Sequence, residues 1–170
     1  NIATNMGATI SGGAMNSSQG NYSSIGGGKS NTAAGYYSVV SGGEQNHVHQ
    51  DHGVIAGGLA HDSRSFGTVS GGANNNSSGD YSSVSGGQYN TASGLNSSVG
   101  GGLHNKSMGN YASIAGGMLG SALSSGAAIL GGLHNSAEAL ASSVGGGFAN
   151  TVTADYSSIA GGKWNTASGI

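Results

Sequence analysis

The chain of 170 residues has no cysteine and no proline, and only ten residues carry formal charge: four Lys or Arg and six Asp or Glu. Without cysteine there is no disulfide scaffold and no thiolate metal site, so any metal would have to be held by His, Asp or Glu. The net charge of −2 is scattered along the sequence. With no basic patch, nucleic-acid binding and attachment to an anionic membrane are excluded as leading readings. No run approaches the roughly 20 apolar residues that a membrane-spanning helix needs. Much Gly and Ser with little hydrophobicity is a common signature of disorder. Disordered tracts, however, carry high charge and lack phased β-branched residues, whereas this chain has few charges and strict phasing.

That phasing is the main content of the sequence. Gly-Gly pairs begin at Gly12, Gly27, Gly42, Gly57, Gly71, Gly86, Gly101, Gly116, Gly131, Gly146 and Gly161, each 15 residues after the last except for one step of 14 from Gly57 to Gly71. Two residues before each pair stands a β-branched aliphatic: Ile10, Ile25, Val40, Ile55, Val69, Val84, Val99, Ile114, Ile129, Val144 and Ile159. A fixed period over the whole chain implies stacked, identical supersecondary units. Asn recurs three residues after the second Gly, at Asn16, Asn31, Asn46, Asn75, Asn90, Asn105, Asn135, Asn150 and Asn165, with His61 and Gly120 as exceptions. An aromatic row precedes the aliphatic by three residues at Tyr22, Tyr37, Phe66, Tyr81, Tyr111 and Tyr156, with His52 in the same phase.

One unit, Ser82 to Asn96, reads SSVSGGQYNTASGLN. Ser82-Ser83-Val84-Ser85 favours a short strand. Gly86-Gly87 marks a turn that needs positive φ or close backbone approach. Asn90-Thr91-Ala92-Ser93-Gly94 reads as a second short strand. Fifteen extended residues span only about 50 Å, enough for two strands and two tight turns. Alternation sends Val84 and Gly86 to one face, with Ala92 inward from the other strand. The Asn row is expected to stack as a structural ladder, each amide bonding the next. The fold expected is an all-β, single-domain parallel β-roll of eleven repeats of about 15 residues. Each rung buries only one large and one small residue, so lateral packing of several rolls is expected to complete the core. The chain begins at Asn1 and closes on a full Asn165-Thr166-Ala167-Ser168-Gly169. Residues 1–170 are therefore read as one head-type repeat domain, a fragment of a longer fibrous chain.

The segments SSVSGGQYNTASG, SSIGGGKSNTAAG, SSVGGGLHNKSMG and SSIAGGKWNTASG resemble the YadA-like head repeats of trimeric autotransporter adhesins, and the resemblance covers essentially the whole chain. Similar repeats also occur in phage tail fibres. The resemblance implies a left-handed parallel β-roll, a homotrimer, and display on a bacterial cell surface. The stalk, neck and membrane-anchor segments of that family are not in this sequence.

Chemistry has little foothold. Gly26-Gly27-Gly28-Lys29-Ser30 ends like a phosphate-binding loop, but Ser23 stands where its first Gly belongs. No His has a distinctive Ser and acid partner, so no catalytic residue and no cofactor site is assigned. His47, His49, His52 and His61 are the weak metal candidates, since imidazoles one rung apart suit zinc or nickel. A degenerate repeat is the preferred reading of that segment. Leu119, Leu123, Leu130, Leu133 and Leu140 fall in slots that elsewhere hold mostly small or polar residues. They are read as one apolar band for binding or, by preference, subunit packing. The expected function is a non-enzymatic extracellular trimeric fibre or adhesin head that attaches to host matrix, a cell-surface protein or a glycan, with self-association and no membrane insertion by this segment. The alternatives are a receptor-binding or shaft segment of a phage tail fibre, on the virion tail, and a monomeric ice- or carbohydrate-binding solenoid.

Overall fold

A computed structural model describes residues 1–169. Its strands are two residues long, and they alternate between two sheets. The odd-numbered strands, from β1 (Ile2–Ala3) to β23 (Thr166–Ala167), form a twelve-stranded sheet; the even-numbered ones, from β2 (Thr9–Ile10) to β22 (Ser158–Ile159), form an eleven-stranded sheet. All pairings are parallel and join each residue to its equivalent one rung on, as in Thr91↔Lys106, Ala92↔Ser107 and Val84↔Val99. The chain is thus an all-β parallel solenoid of about eleven turns, with no helix among the described residues.

The core between the sheets is one side chain deep. Val84 comes from one sheet and Ala92 from the other, and both are fully buried. Size is compensated locally. Where the small slot is filled by Val48, the residue opposite is Gly53, and a Cβ there would lie 2.6 Å from Val48 Cγ1. A third layer of polar residues, not foreseen in the sequence, closes the core at the second turn. Ser23, Ser38, Ser82, Ser97 and Ser142 are buried there. Ser82 Oγ lies 2.7 Å from Ser77 Oγ, and Ser142 Oγ donates to the Ala139 carbonyl at 2.7 Å.

The first turn is more ordered than a simple reversal. Ten single-residue parallel bridges run through it, from Ala14↔Lys29 to Phe148↔Lys163, making a third ladder beside the two sheets. The reason is a pair of left-handed corners. In each rung the second Gly has positive φ, as at Gly87 (78°), and so does the residue two places on, as at Tyr89 (55°). Between them Gln88 is extended, donates its N–H to Gly102 and accepts from His104 N–H through its carbonyl, at 2.9 and 3.0 Å. A left-handed corner at a non-glycine residue costs roughly 1–2 kcal/mol. Here the inter-rung hydrogen bonds on both sides hold it in place.

The two glycines of each pair are not equivalent. A Cβ on Gly87 would collide with the Gly102 carbonyl and lie 2.6 Å from Asn90 Nδ2. A Cβ on Gly86 would meet nothing within 4 Å. Strand alternation predicts Gly86 inward beside Val84. The structure corrects this: the chain has already bent at Gly86, which faces open space. Replacing Gly87 by Ala is therefore expected to destabilise the roll by several kcal/mol through combined backbone strain and collision. Replacing Gly86 by Ala is expected to change the unfolding free energy of an isolated roll by less than about 1 kcal/mol. Urea denaturation of the two variants in parallel checks the asymmetry.

Candidate interaction surface

The Asn row is buried at the first turn, and its carboxamides bond backbone rather than one another. Asn90 Nδ2 donates to the Gly86 carbonyl (3.0 Å) within its own rung and to the Gly102 carbonyl (2.9 Å) of the next. Its Oδ1 accepts the Asn105 N–H at 2.9 Å. Among the described residues, direct amide-to-amide bonds within the row occur only near the C-terminal end, from Asn150 to Asn135 (3.2 Å) and from Asn165 to Asn150 (3.0 Å). Gly120 interrupts the row, and its N–H still donates to Asn105 Oδ1 at 2.8 Å.

His61 interrupts the row differently, because an imidazole can imitate the amide. The Asn75 N–H donates to His61 Nδ1 at 3.1 Å, as it would to an Asn oxygen. The remaining nitrogen, Nε2, is buried beside the Gly72 carbonyl without a well-aligned hydrogen bond to it. The arrangement requires the neutral Nε2–H tautomer. Burial, above all, pushes the His61 pKa below the ordinary histidine value, against the smaller opposing pulls of the Gly72 carbonyl and Asp62. This is the rung of the 14-residue repeat. The deletion falls in the second turn, where the Gly67 N–H donates to the Arg64 carbonyl at 2.9 Å. Register is kept on both sides, with Val48↔Ser63 and Ile55↔Val69 still paired.

The four metal candidates do not converge. His61 is inside the first turn, whereas His52 sits in the aromatic column of the second turn between Tyr37 and Phe66, at centroid distances of 5.5 and 4.8 Å. Only His47 and His49 adjoin, with centroids 5.9 Å apart on the outer face of the twelve-stranded sheet. His49 Nε2 lies 2.9 Å from Asp62 Oδ1. Among the described residues no three His, Asp or Glu side chains are grouped to hold a metal ion. Lys29, from the glycine-rich segment, belongs to the third ladder and pairs with Glu44 at 3.1 Å in the open.

The five leucines do not form one band either. Leu119 and Leu133 lie along the first-turn edge, Leu130 on the outer face of the eleven-stranded sheet just before that turn, Leu123 on the outer face of the twelve-stranded sheet where it runs into the second turn, and Leu140 along the second-turn edge. The cause is the position of each in the rung. Leu133 occupies the third ladder with Leu103, Met118 and Phe148, while Leu123 directly follows strand β17 (Ser121–Ala122) on the way to the other turn. Leu130 is the most exposed of the five at 69%. The sequence hides the row of Leu103, Met118 and Phe148, because the two residues after Gly-Gly vary from rung to rung and look like a plain turn rather than a ladder.

The two broad faces differ in charge. The twelve-stranded sheet presents His47, His49, Asp62, Arg64, Lys106 and Glu138 outward. The eleven-stranded sheet presents Ser, Thr, Ala, Gly and Val, with Leu130 the one long side chain. A shallow depression of about 280 Å³ on that uncharged face is lined by Ser98, Ser113, Ala115 and Leu130, among others. The second-turn edge is a ridge. Tyr22, Tyr37, His52, Phe66 and Tyr81 stack face to face along it at 4.6 to 5.5 Å, all five in left-handed conformation. Tyr36 leans edge-on against Tyr37 at 4.5 Å, and this neighbour, above all, holds the Tyr36 phenol above the ordinary tyrosine pKa.

Because the folded-state pKa of His61 lies below its unfolded value, the unfolded chain takes up the proton first on acidification. Stability is full above the ordinary histidine range, falls as pH drops through it, and levels off below the lower folded value. The gap in unfolding free energy between His61→Asn and the parent is expected to widen between about pH 7 and about pH 5. Chemical denaturation across that range tests it, and a pH-independent gap contradicts the assignment. No family model matches the chain, and a search of curated proteins finds no match to it.

Proposed function

We propose that this chain is the head-type segment of a non-enzymatic, extracellular trimeric fibre that attaches to a host or other surface, displayed on a bacterial cell. The roll is read as left-handed and the assembly as a homotrimer, both from the resemblance of SSVSGGQYNTASG and its repeats to YadA-like heads. The observation that carries the reading is the third ladder. With it the Gly-Gly turn is as regular as the sheets, so Ser, Thr and Tyr side chains recur outward at one fixed rung spacing on a rigid rod. Eleven rungs at about 4.8 Å give a rod about 50 Å long. Such a surface binds matrix, a cell-surface protein or a glycan through many weak, repeated contacts, and avidity dominates its affinity. The uncharged face of small residues suits the inside of the trimer, and the charged face the outside.

A second reading, the monomeric carbohydrate-binding solenoid, has one observation in its favour. The accessible area of 7457 Å² is close to the roughly 7500 Å² that compact monomers of this mass, 16.3 kDa, expose. The solution mass of the segment separates the two readings. For the adhesin reading, arrays trimmed from the full length to about half are expected to lose adhesion to immobilised matrix or glycans at least tenfold, more than in proportion to length. Loss in simple proportion, or no adhesion at full length, contradicts it.

A further inference from the structure

The aromatic column on the second-turn ridge has a gap. Tyr81 stacks on Phe66 at 4.6 Å with the rings 16° from parallel, so its other face looks toward the next rung. There the ring slot holds Asn96, and one rung further it holds Tyr111. All three residues occupy the same place in the rung and the same left-handed conformation, with φ of 56°, 53° and 58°. A carboxamide covers much less of its neighbours than a ring does, and the exposures show it. Tyr81 and Tyr111 are 56% and 62% exposed, against 41% to 47% for Tyr22, Tyr37 and Phe66 in the unbroken stretch.

Two rungs separate Tyr81 from Tyr111, about 9.6 Å. A ring placed midway lies about 4.8 Å from each. Rings of the column already stack at 4.6 to 5.5 Å, so the opening is one ring thick. Other breaks in the row are not. Before Tyr22 the slot holds Gly7, where an added Cβ would lie 2.6 Å from Tyr22 Cδ1, so the tyrosine ring covers the backbone and closes the space. After Tyr111, Gly126 and Ala141 leave three rungs before Tyr156, too wide for one ring to touch both sides.

We propose, resting on the attachment reading above, that the slot between Tyr81 and Tyr111 binds one pyranose ring of a surface glycan. A pyranose with equatorial hydroxyls has two flat C–H faces and a polar rim. Its faces meet the two tyrosine rings, and its rim meets two carboxamides. Asn96 is exposed at the floor of the slot, and among the described residues its carboxamide has no partner. Asn110 Oδ1 accepts the Leu95 N–H at 3.0 Å, which holds that carboxamide at the height of the missing ring and leaves Nδ2 to donate. A carboxamide both donates and accepts, as a hydroxyl does. A purely aromatic guest would stack equally well but leave both carboxamides unused. One such sandwich is weak, and several copies on a fibre gain strength by avidity.

The test titrates the whole chain with methyl β-glucopyranoside. Binding is read from the shifts that tyrosine rings impose on the sugar C–H protons by NMR, with circular dichroism to confirm the roll. One saturable site per chain is expected. Asn96→Tyr completes the column with a residue that already fills this slot in the rungs on either side, so the fold is kept and binding is expected to vanish. Tyr81→Leu and Tyr111→Leu are each expected to weaken binding about tenfold, the contribution of one aromatic stack, whereas Tyr156→Leu leaves it unchanged. Binding that survives Asn96→Tyr overturns the inference, and so does a slot that takes indole but not the sugar. Adhesion of the parent to immobilised matrix protein is measured alongside. A chain that adheres but binds no sugar overturns this inference alone. A chain that binds sugar in the slot but adheres to nothing upholds the slot and overturns the attachment reading.

Discussion

The buried carboxamide at the first turn is the constraint on which the rest of the solenoid depends. Asn90 joins three backbone groups belonging to two rungs, so one side chain fixes both the shape of its own turn and the height of the next. At a net value of about 1 kcal/mol per bond, such a residue contributes about 3 kcal/mol, comparable to full burial of the Val beside it. The positive-φ glycine follows from this, because only a residue without Cβ leaves room for the amide and for the carbonyl of the next rung. The third ladder follows in turn, since the extended residue between two left-handed corners can reach only its equivalents above and below. Geometry of this kind is set once and copied along the chain, which is why a core one side chain deep can be regular.

The exceptions show how much variation the framework absorbs. Loss of one residue in the second turn leaves both sheets in register, because the Arg64–Gly67 reversal closes on one residue fewer while the Phe66 N–H still reaches the Asp51 carbonyl of the rung before. In the Asn slot, by contrast, the row continues only if the replacement supplies an acceptor in the right place. His61 does so through Nδ1, and the substitution makes that rung sensitive to protonation in a way that no Asn rung is. At Gly120 nothing takes the place of the amide. Leucines and other apolar side chains gather on the edges of the rungs around it, as far from the amide row as the rung allows in the case of Leu123 and Leu140.

Much of the fold was legible in the sequence because its signals are local and repeated. Val84 two residues before Gly86, Ala92 eight residues later, and Asn90 between them specified two strands, their inward faces and a structural Asn row. What could not be read was the path through the turn. Strand alternation predicts Gly86 inward, but alternation fails at a corner, and corner geometry depends on which residues turn left-handed. Tyr89, Leu119 and Trp164 give no sign of it, since their side chains disfavour that conformation and only inter-rung bonding imposes it. For the same reason the candidate surfaces were only half visible. The leucines were seen, but their division between edges and faces requires knowing where each turn begins. The histidines shared a stretch of sequence, yet the turn separates them into the interior, a face and a ridge.

The direction of the ladders has a mechanical corollary. The chain runs across the rod, and its hydrogen bonds run along it, so tension along the rod loads the bonds between successive rungs in series. Each interface between rungs then bears the same force, and the rod is only as strong as its weakest one. Rungs joined by a complete amide are equivalent. The ones at His61 and Gly120 are not, and between them they divide the rod into three spans that would part from one another before any span unravels within.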